Sequence, residues 1–145
     1  MTVLDSFRLD GQVIIITGGA GFLGSEYARS IAEAGGIPIV SDIDAPLAKK
    51  VAEKVSEKTG MQALGLGVDV SDKNSVNVFV EKVLKRFGRI DGLVNNAALN
   101  PKFGKGQAGK YTYSFENYPL DLWNRSLAVD LTGMFLFSQA VAQPM

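Results

Sequence analysis

Val13-Ile14-Ile15-Ile16-Thr17-Gly18-Gly19-Ala20-Gly21-Phe22-Leu23-Gly24 is the stretch from which the fold is read. Val13 to Ile16 is short, wholly apolar and β-branched, as in a strand buried on both faces of a parallel sheet. Glycines at 18, 21 and 24 follow directly. Ser25 to Ala34 then reads as a helix, with Tyr27, Ala28, Ile31 and Ala32 on one face and Gly35-Gly36 closing it. Strand, glycine turn and helix in this order suit a phosphate ligand. Gly18 permits the tight turn, Gly21 lets backbone N–H groups approach a pyrophosphate, and Gly24 allows close helix packing. The helix N-terminus adds unpaired N–H groups and the positive end of its dipole. The competing reading is a glycine-rich turn that holds nothing.

Outward from this unit the pattern alternates. Ile37 to Val40 reads as a second strand, with Pro38 near its start where a missing N–H is tolerated. Pro46 suits a helix first turn, Leu47, Val51 and Val55 recur at four-residue steps, and Gly60 ends the run. Residues 62–68 read as a third strand, and Ser71 as the N-cap of a helix carrying Val76, Phe79, Val80, Val83, Leu84 and Phe87. Gly88 ends that helix, and residues 90–94 form a fourth strand. Residues 99–118 are expected to be a long loop, which inside a compact domain is usually functional or mobile. From Pro119 a last helix carries Leu120, Trp123, Leu127, Leu131 and Phe135, with Gly133 placed for a close backbone approach. Its second half is apolar nearly all round, so it should be buried on more than one side. The order β-α-β-α-β-α-β-loop-α implies a parallel sheet with helices on both faces. That is one half of a doubly wound nucleotide-binding fold plus a helix.

Composition narrows the chemistry. The 145 residues are expected to form one domain, 1–145. Lys+Arg and Asp+Glu are 15 each, so no net charge points to nucleic acid or an anionic membrane. There is no cysteine and no histidine, which removes thiol and Ser-His-Asp nucleophiles and the commonest zinc sites; no metal is expected. No apolar run reaches the ~18 residues of a membrane span, and the N-terminus lacks a signal-peptide layout. A cytoplasmic protein is the expectation.

Three further motifs lie at strand ends. Asp42 closes the second strand, the usual place for a carboxylate that accepts from the hydroxyls of an adenosine ribose. Its charge would repel a 2′-phosphate, and no Arg or Lys lies between Pro38 and Ala48, so NAD is favoured over NADP. The alternative is that Asp42 or Asp44 caps the next helix, and Asp44 is the better cap. Asp69, in Val68-Asp69-Val70-Ser71-Asp72, could accept from an adenine amino group with Val70 against the ring. Equally, Ser71 and Asp72 could simply start a helix. Asn95-Asn96-Ala97-Ala98 follows the fourth strand; two Asn there can bridge backbone across a crevice, though Asn pairs also make turns.

Taken together, Thr17–Gly24, Asp42, Val68–Asp72, Asp91–Ala98 and Ser126–Val141 resemble the short-chain dehydrogenase/reductase family. The resemblance implies a doubly wound parallel-sheet Rossmann-like α/β fold and hydride transfer between nicotinamide and a carbonyl or alcohol carbon. It implies cofactor contacts from Gly18, Gly21, Phe22 and Leu23 in the turn, Asp42 and Ile43 at the ribose, Asp69 and Val70 at the adenine, and Asn95 and Ala97 at a ribose and in support of the strand. A small-molecule substrate and a homo-oligomer are implied too, the family's fifth helix often packing between subunits.

Four departures stand out. The Gly18-x-x-Gly21-x-x-Gly24 spacing is more typical of the branch holding sugar-nucleotide epimerases and dehydratases. Ala98 stands where the family usually has Gly. Asp130, in Val129-Asp130-Leu131-Thr132-Gly133, replaces the family's catalytic Asn, so the water-holding proton relay is altered at its one catalytic position on this chain. The family's Ser and Tyr-x-x-x-Lys pair lie beyond Met145, and no Tyr here is followed four residues later by Lys. The expectation is a fold truncated after the family's fifth helix, inactive alone and prone to associate through an uncovered sheet edge. A non-catalytic nucleotide-binding module and a fragment of a sugar-nucleotide epimerase or dehydratase are the alternatives. The stretch Asn100 to Asn124 resembles a subgroup assigned to bacterial surface-sugar biosynthesis, or is a variable loop silent on substrate.

Overall fold

A computed structural model describes residues 2–99 and 115–145. Its centre is a four-stranded, all-parallel sheet of β1 (Val13–Thr17), β2 (Ile37–Asp42), β3 (Leu64–Gly67) and β4 (Gly92–Val94), in the order β3-β2-β1-β4. The helices are α1 (Phe22–Glu33), α2 (Ala45–Thr59), α3 (Lys73–Phe87), α4 (Leu120–Leu127) and α5 (Gly133–Val141). Single 3-10 turns occupy Leu4–Phe7 and Phe115–Asn117.

Alternation along β1 builds the two faces. Successive side chains of a strand point to opposite sides. Ile14 and Ile16, with Val40, therefore meet Ala28, Ile31 and Ala32 of α1 and Ala48, Ala52 and Val55 of α2. Val13 and Ile15, with Ile39, meet Val76, Phe79, Val80 and Val83 of α3 and Phe137 and Val141 of α5. Phe79 and Phe137 pack edge to face, ring centroids 5.5 Å apart. The result is a Rossmann-like α/β sandwich of three layers. From β1 the chain steps outward through β2 to β3, then returns to place β4 on the other side of β1. The strand order reverses there, and such a reversal opens a crevice at the carboxyl ends of the strands.

Local chemistry sets most boundaries. Asp44 caps α2, its Oδ1 accepting from Leu47 N at 3.0 Å, with Pro46 in the first turn. Gly60 and Gly88 end α2 and α3 in the left-handed region, at φ 71° and 73°, where side chains are disfavoured. Some boundaries differ from the sequence reading. α1 begins at Phe22 rather than Ser25, because Gly21 serves as its N-cap. Asp72, not Ser71, caps α3 by accepting from Asn74 N, since the Ser71 hydroxyl is donated to Asp69. β3 and β4 are shorter than expected. The helix from Pro119 is not uniform: a π-helical turn, Ala128–Thr132, joins α4 to α5. The loop expected at 99–118 falls largely on residues outside those described. No helix among the described residues is long and apolar enough to cross a membrane.

Candidate functional site

The crevice at the strand reversal is a cleft of about 650 Å³, the size of a small-ligand site. The glycine turn forms its floor. Gly18 has φ +61°, and a Cβ there would lie 2.8 Å from Ala97 Cα. A Cβ on Gly24 would lie 2.3 Å from Gly18 O, so α1 can sit on the turn only without a side chain at that position. Gly21 caps α1 with no side chain to accept from the first-turn amides. The N–H groups that open α1 have no intrahelical acceptor, and they face the cleft where Gly21, Phe22, Leu23 and Gly24 line it. Such a cradle fits an anion.

Asp42 stands at the end of β2 on the cleft wall. Its Oδ2 accepts from Ala20 N at 3.1 Å and its Oδ1 from Asp44 N at 3.2 Å. The two amides hold the carboxylate between the glycine turn and the start of α2. Each oxygen retains a lone pair for a further donor. Beyond the end of β3, Asp69 Oδ1 accepts from both Ser71 N (2.9 Å) and Ser71 Oγ (2.6 Å). Ile43 and Val70 also line the cleft.

The opposite wall hangs on Thr17. This side chain is 2% exposed. Its Oγ1 accepts from Asn96 N at 2.9 Å and Ala97 N at 3.0 Å. Asn96 returns two bonds, its Nδ2 donating to Thr17 O (2.9 Å) and Gly18 O (3.1 Å). The knot ties the end of β4 to the start of the glycine turn. Asn95 points elsewhere: its Nδ2 donates to Ser138 Oγ on α5 at 3.2 Å, and its buried Oδ1 has no partner among the described residues. Asp130 lies in the π-helical turn, where its Oδ1 accepts from Leu99 N at 2.6 Å. That bond fastens the chain leaving β4 to the last helical run. π-helical turns occur often at functional sites.

The cleft thus brings together Gly18, Gly21, Phe22, Leu23, Asp42, Ile43, Asp69, Val70 and Ala97. Asn95 and Asp130 are not among its lining residues. Asn96 makes the backbone bridge expected of the two Asn, and Thr17, immediately before Gly18, accepts from the far strand end, a role no local sequence signal marks. Arg125, Ala128 and Val129 complete the lining from the last helical run; its second half, expected to be buried on more than one side, instead packs through Phe137 and Val141 and leaves Leu131 and Phe135 exposed.

Residues 12–145 match the family model described as short chain dehydrogenase. The chain belongs to the short-chain dehydrogenase family. It is 35% identical over 141 residues to 5-keto-D-gluconate 5-reductase of Escherichia coli, covering 97% of this chain and 51% of that protein. It superposes on a short-chain type dehydrogenase/reductase from Mycobacterium marinum with a TM-score of 0.88 at 28% identity, covering 99% of this chain and 54% of that one. It also superposes on an NAD⁺-bound xylitol dehydrogenase with a TM-score of 0.81 at 31% identity, covering 95% of this chain and 49% of that one. The chain spans about half the length of the curated relatives it matches. Members of the family bind nicotinamide cofactors, which accords with the glycine cradle.

Proposed function

We propose that this chain is the dinucleotide-binding part of an oxidoreductase that uses NAD rather than NADP and acts on a small, hydroxyl-rich substrate such as a polyol or keto-sugar. One observation carries the cofactor choice: the Asp42 carboxylate is fixed on the cleft wall by Ala20 N and Asp44 N, beside the glycine turn. A carboxylate there accepts from ribose hydroxyls and repels a 2′-phosphate. The cradle at Gly18, Gly21 and Gly24 suits the pyrophosphate, with Phe22 and Leu23 at the helix start. Ile43 would flank the ribose, and Asp69 and Val70 the adenine. Ala97, held by Thr17, leaves room for the second ribose. Asn95 supports the strand end through Ser138 rather than through the cleft. Asp130 takes the position of the family's Asn and acts as a positioning residue, holding Leu99 and with it the cleft wall.

When bound, the nicotinamide supplies a hydride donor or acceptor. The substrate class rests on what the sugar-acid reductase and the xylitol dehydrogenase are named for. The exposed apolar row Leu120, Trp123, Leu127, Leu131 and Phe135 supports an oligomer.

The test is a fluorescence titration of the purified chain with NADH and with NADPH. Saturable NADH binding, at least tenfold tighter than NADPH, is expected. Equal affinities would refute the assignment to Asp42. No binding of either at millimolar concentration would leave the relatives' likeness as one of fold only. A second reading, a non-catalytic nucleotide-binding module, draws on Asp130, whose carboxylate is engaged by Leu99. It predicts the same binding but no hydride transfer by the whole protein with any polyol or keto-sugar.

A further inference from the structure

We infer that Arg125 is a cofactor-binding residue that stacks its guanidinium on the adenine ring and closes the outer end of the cleft. The inference rests on the proposed dinucleotide site and adds a residue to it. Three observations carry it.

The first is placement. Arg125, Ala128 and Val129 line the cleft from one face of the α4 and π-helical run, at spacings of three and four residues. Residues at that spacing lie one above another. Farther along the same run, Gly133 comes against Val70: a Cβ on Gly133 would lie 2.9 Å from Val70 Cγ2. The helical run therefore meets the segment that follows β3 at Val70, and Ala128 and Val129 line the cleft one turn earlier on the run. Arg125 lies eight residues before Gly133, roughly two turns along the run from it. A flat ring placed between Val70 and the pair Ala128 and Val129 would have Arg125 at its outer side.

The second is charge. The described lining carries the carboxylates of Asp42 and Asp69 and, as its cation, Arg125. Neither carboxylate pairs with it: Asp42 accepts from Ala20 N and Asp44 N, Asp69 from Ser71. No ion pair of Arg125 occurs among the described residues, whereas Arg8, Arg29 and Arg89 each hold a carboxylate. A planar, weakly hydrated cation with no acid partner among the described residues, at the rim of an apolar slot, suits the face of an aromatic base.

The third is position relative to Asp42. A 2′-phosphate reader would have to work against that carboxylate at the ribose. Arg125 instead belongs to the helical run whose Gly133 meets Val70, the residue proposed to flank the base.

The experiment measures binding of ADP-ribose and 2′-phospho-ADP-ribose by calorimetry to the protein and its Arg125→Ala and Arg125→Lys variants, with urea midpoints alongside. The expected result is an affinity loss of about tenfold for Arg125→Ala. It should be similar for both ligands, little restored by Lys, with the urea midpoint unchanged. Full recovery with Lys would make Arg125 a point charge and overturn the stacking. A loss confined to 2′-phospho-ADP-ribose would make it a phosphate reader, and unchanged affinity would remove it from the site. A fall in the urea midpoint matching the affinity loss would assign it to the scaffold. These outcomes differ from failure of the site itself, in which the unmodified protein binds neither ligand.

Discussion

Replacing Thr17 with Val tests the knot on which the cleft wall depends. The two side chains have nearly the same shape, so the change deletes a hydroxyl and little else. In the structure that hydroxyl accepts from Asn96 N and Ala97 N at 2.9 and 3.0 Å, in a side chain 2% exposed. A typical hydrogen bond contributes about 1 kcal/mol net, and a buried donor left unpaired costs about 1–3 kcal/mol. Asn96 and Ala97 are half-buried, so water can reach part of what is lost. The expected destabilisation is therefore about 2–3 kcal/mol. With a urea slope of about 2 kcal/mol per molar, the unfolding midpoint should fall by about 1 M. Urea denaturation followed by circular dichroism reads this directly. Thr17→Ser keeps the oxygen and should recover most of the loss. NADH affinity should fall with Thr17→Val as well, because Asn96 to Leu99 form the wall that the knot fixes. A midpoint within about 0.2 M of the unmodified protein, at unchanged slope, would show that the Thr17 hydroxyl does not hold the end of β4.

Two further outcomes are expected. Gly133→Val forces a branched side chain against Val70, where even a Cβ would sit at 2.9 Å, and should cost about 1–3 kcal/mol in urea denaturation. Asp91 is held below the ordinary carboxylate range by its hydrogen bond from Arg89, with a further one from Val13 N at 2.8 Å. A lowered folded-state value stabilises fully above the unfolded value near ~4 and is lost as pH falls through the lowered one. Asp91→Asn should therefore be less stable than the unmodified protein at neutral pH, with the gap closing below about pH 4. A gap that stays constant on acidification would show that Asp91 contributes through shape rather than charge.

Where the chemistry is local in the chain, the sequence was enough to read it. Val13 to Ile16 is apolar on every residue because β1 is central and buried on both faces. Gly18 and Gly24 are glycines because one has positive φ and the other touches the turn backbone. Asp44 caps α2 three residues before the amide it accepts from. Four features are hidden for physical reasons. Thr17 and Asn96 are 79 residues apart, and nothing near Thr17 marks its hydroxyl as the acceptor for the far strand end. Helical periodicity cannot separate an α turn from a single π turn, so Ala128–Thr132 read as ordinary helix. Ser71 and Asp72 are both good caps, and only the bond from Ser71 Oγ to Asp69 decides between them. Arg125 is the fourth, because an Arg on an amphipathic helix reads as a solvated face, and only the fold puts it on the cleft lining.

Binding of a nicotinamide dinucleotide in this cleft is the proposal on which the residue assignments rest. Its most direct test is a backbone-amide NMR titration of the chain with NAD⁺. Saturable shifts are expected, concentrated at Gly18 to Leu23, Asp42 and Ile43, Asp69 to Ser71, and Ala97. Absence of shifts at millimolar NAD⁺, or saturable shifts clustered away from these residues, would contradict it.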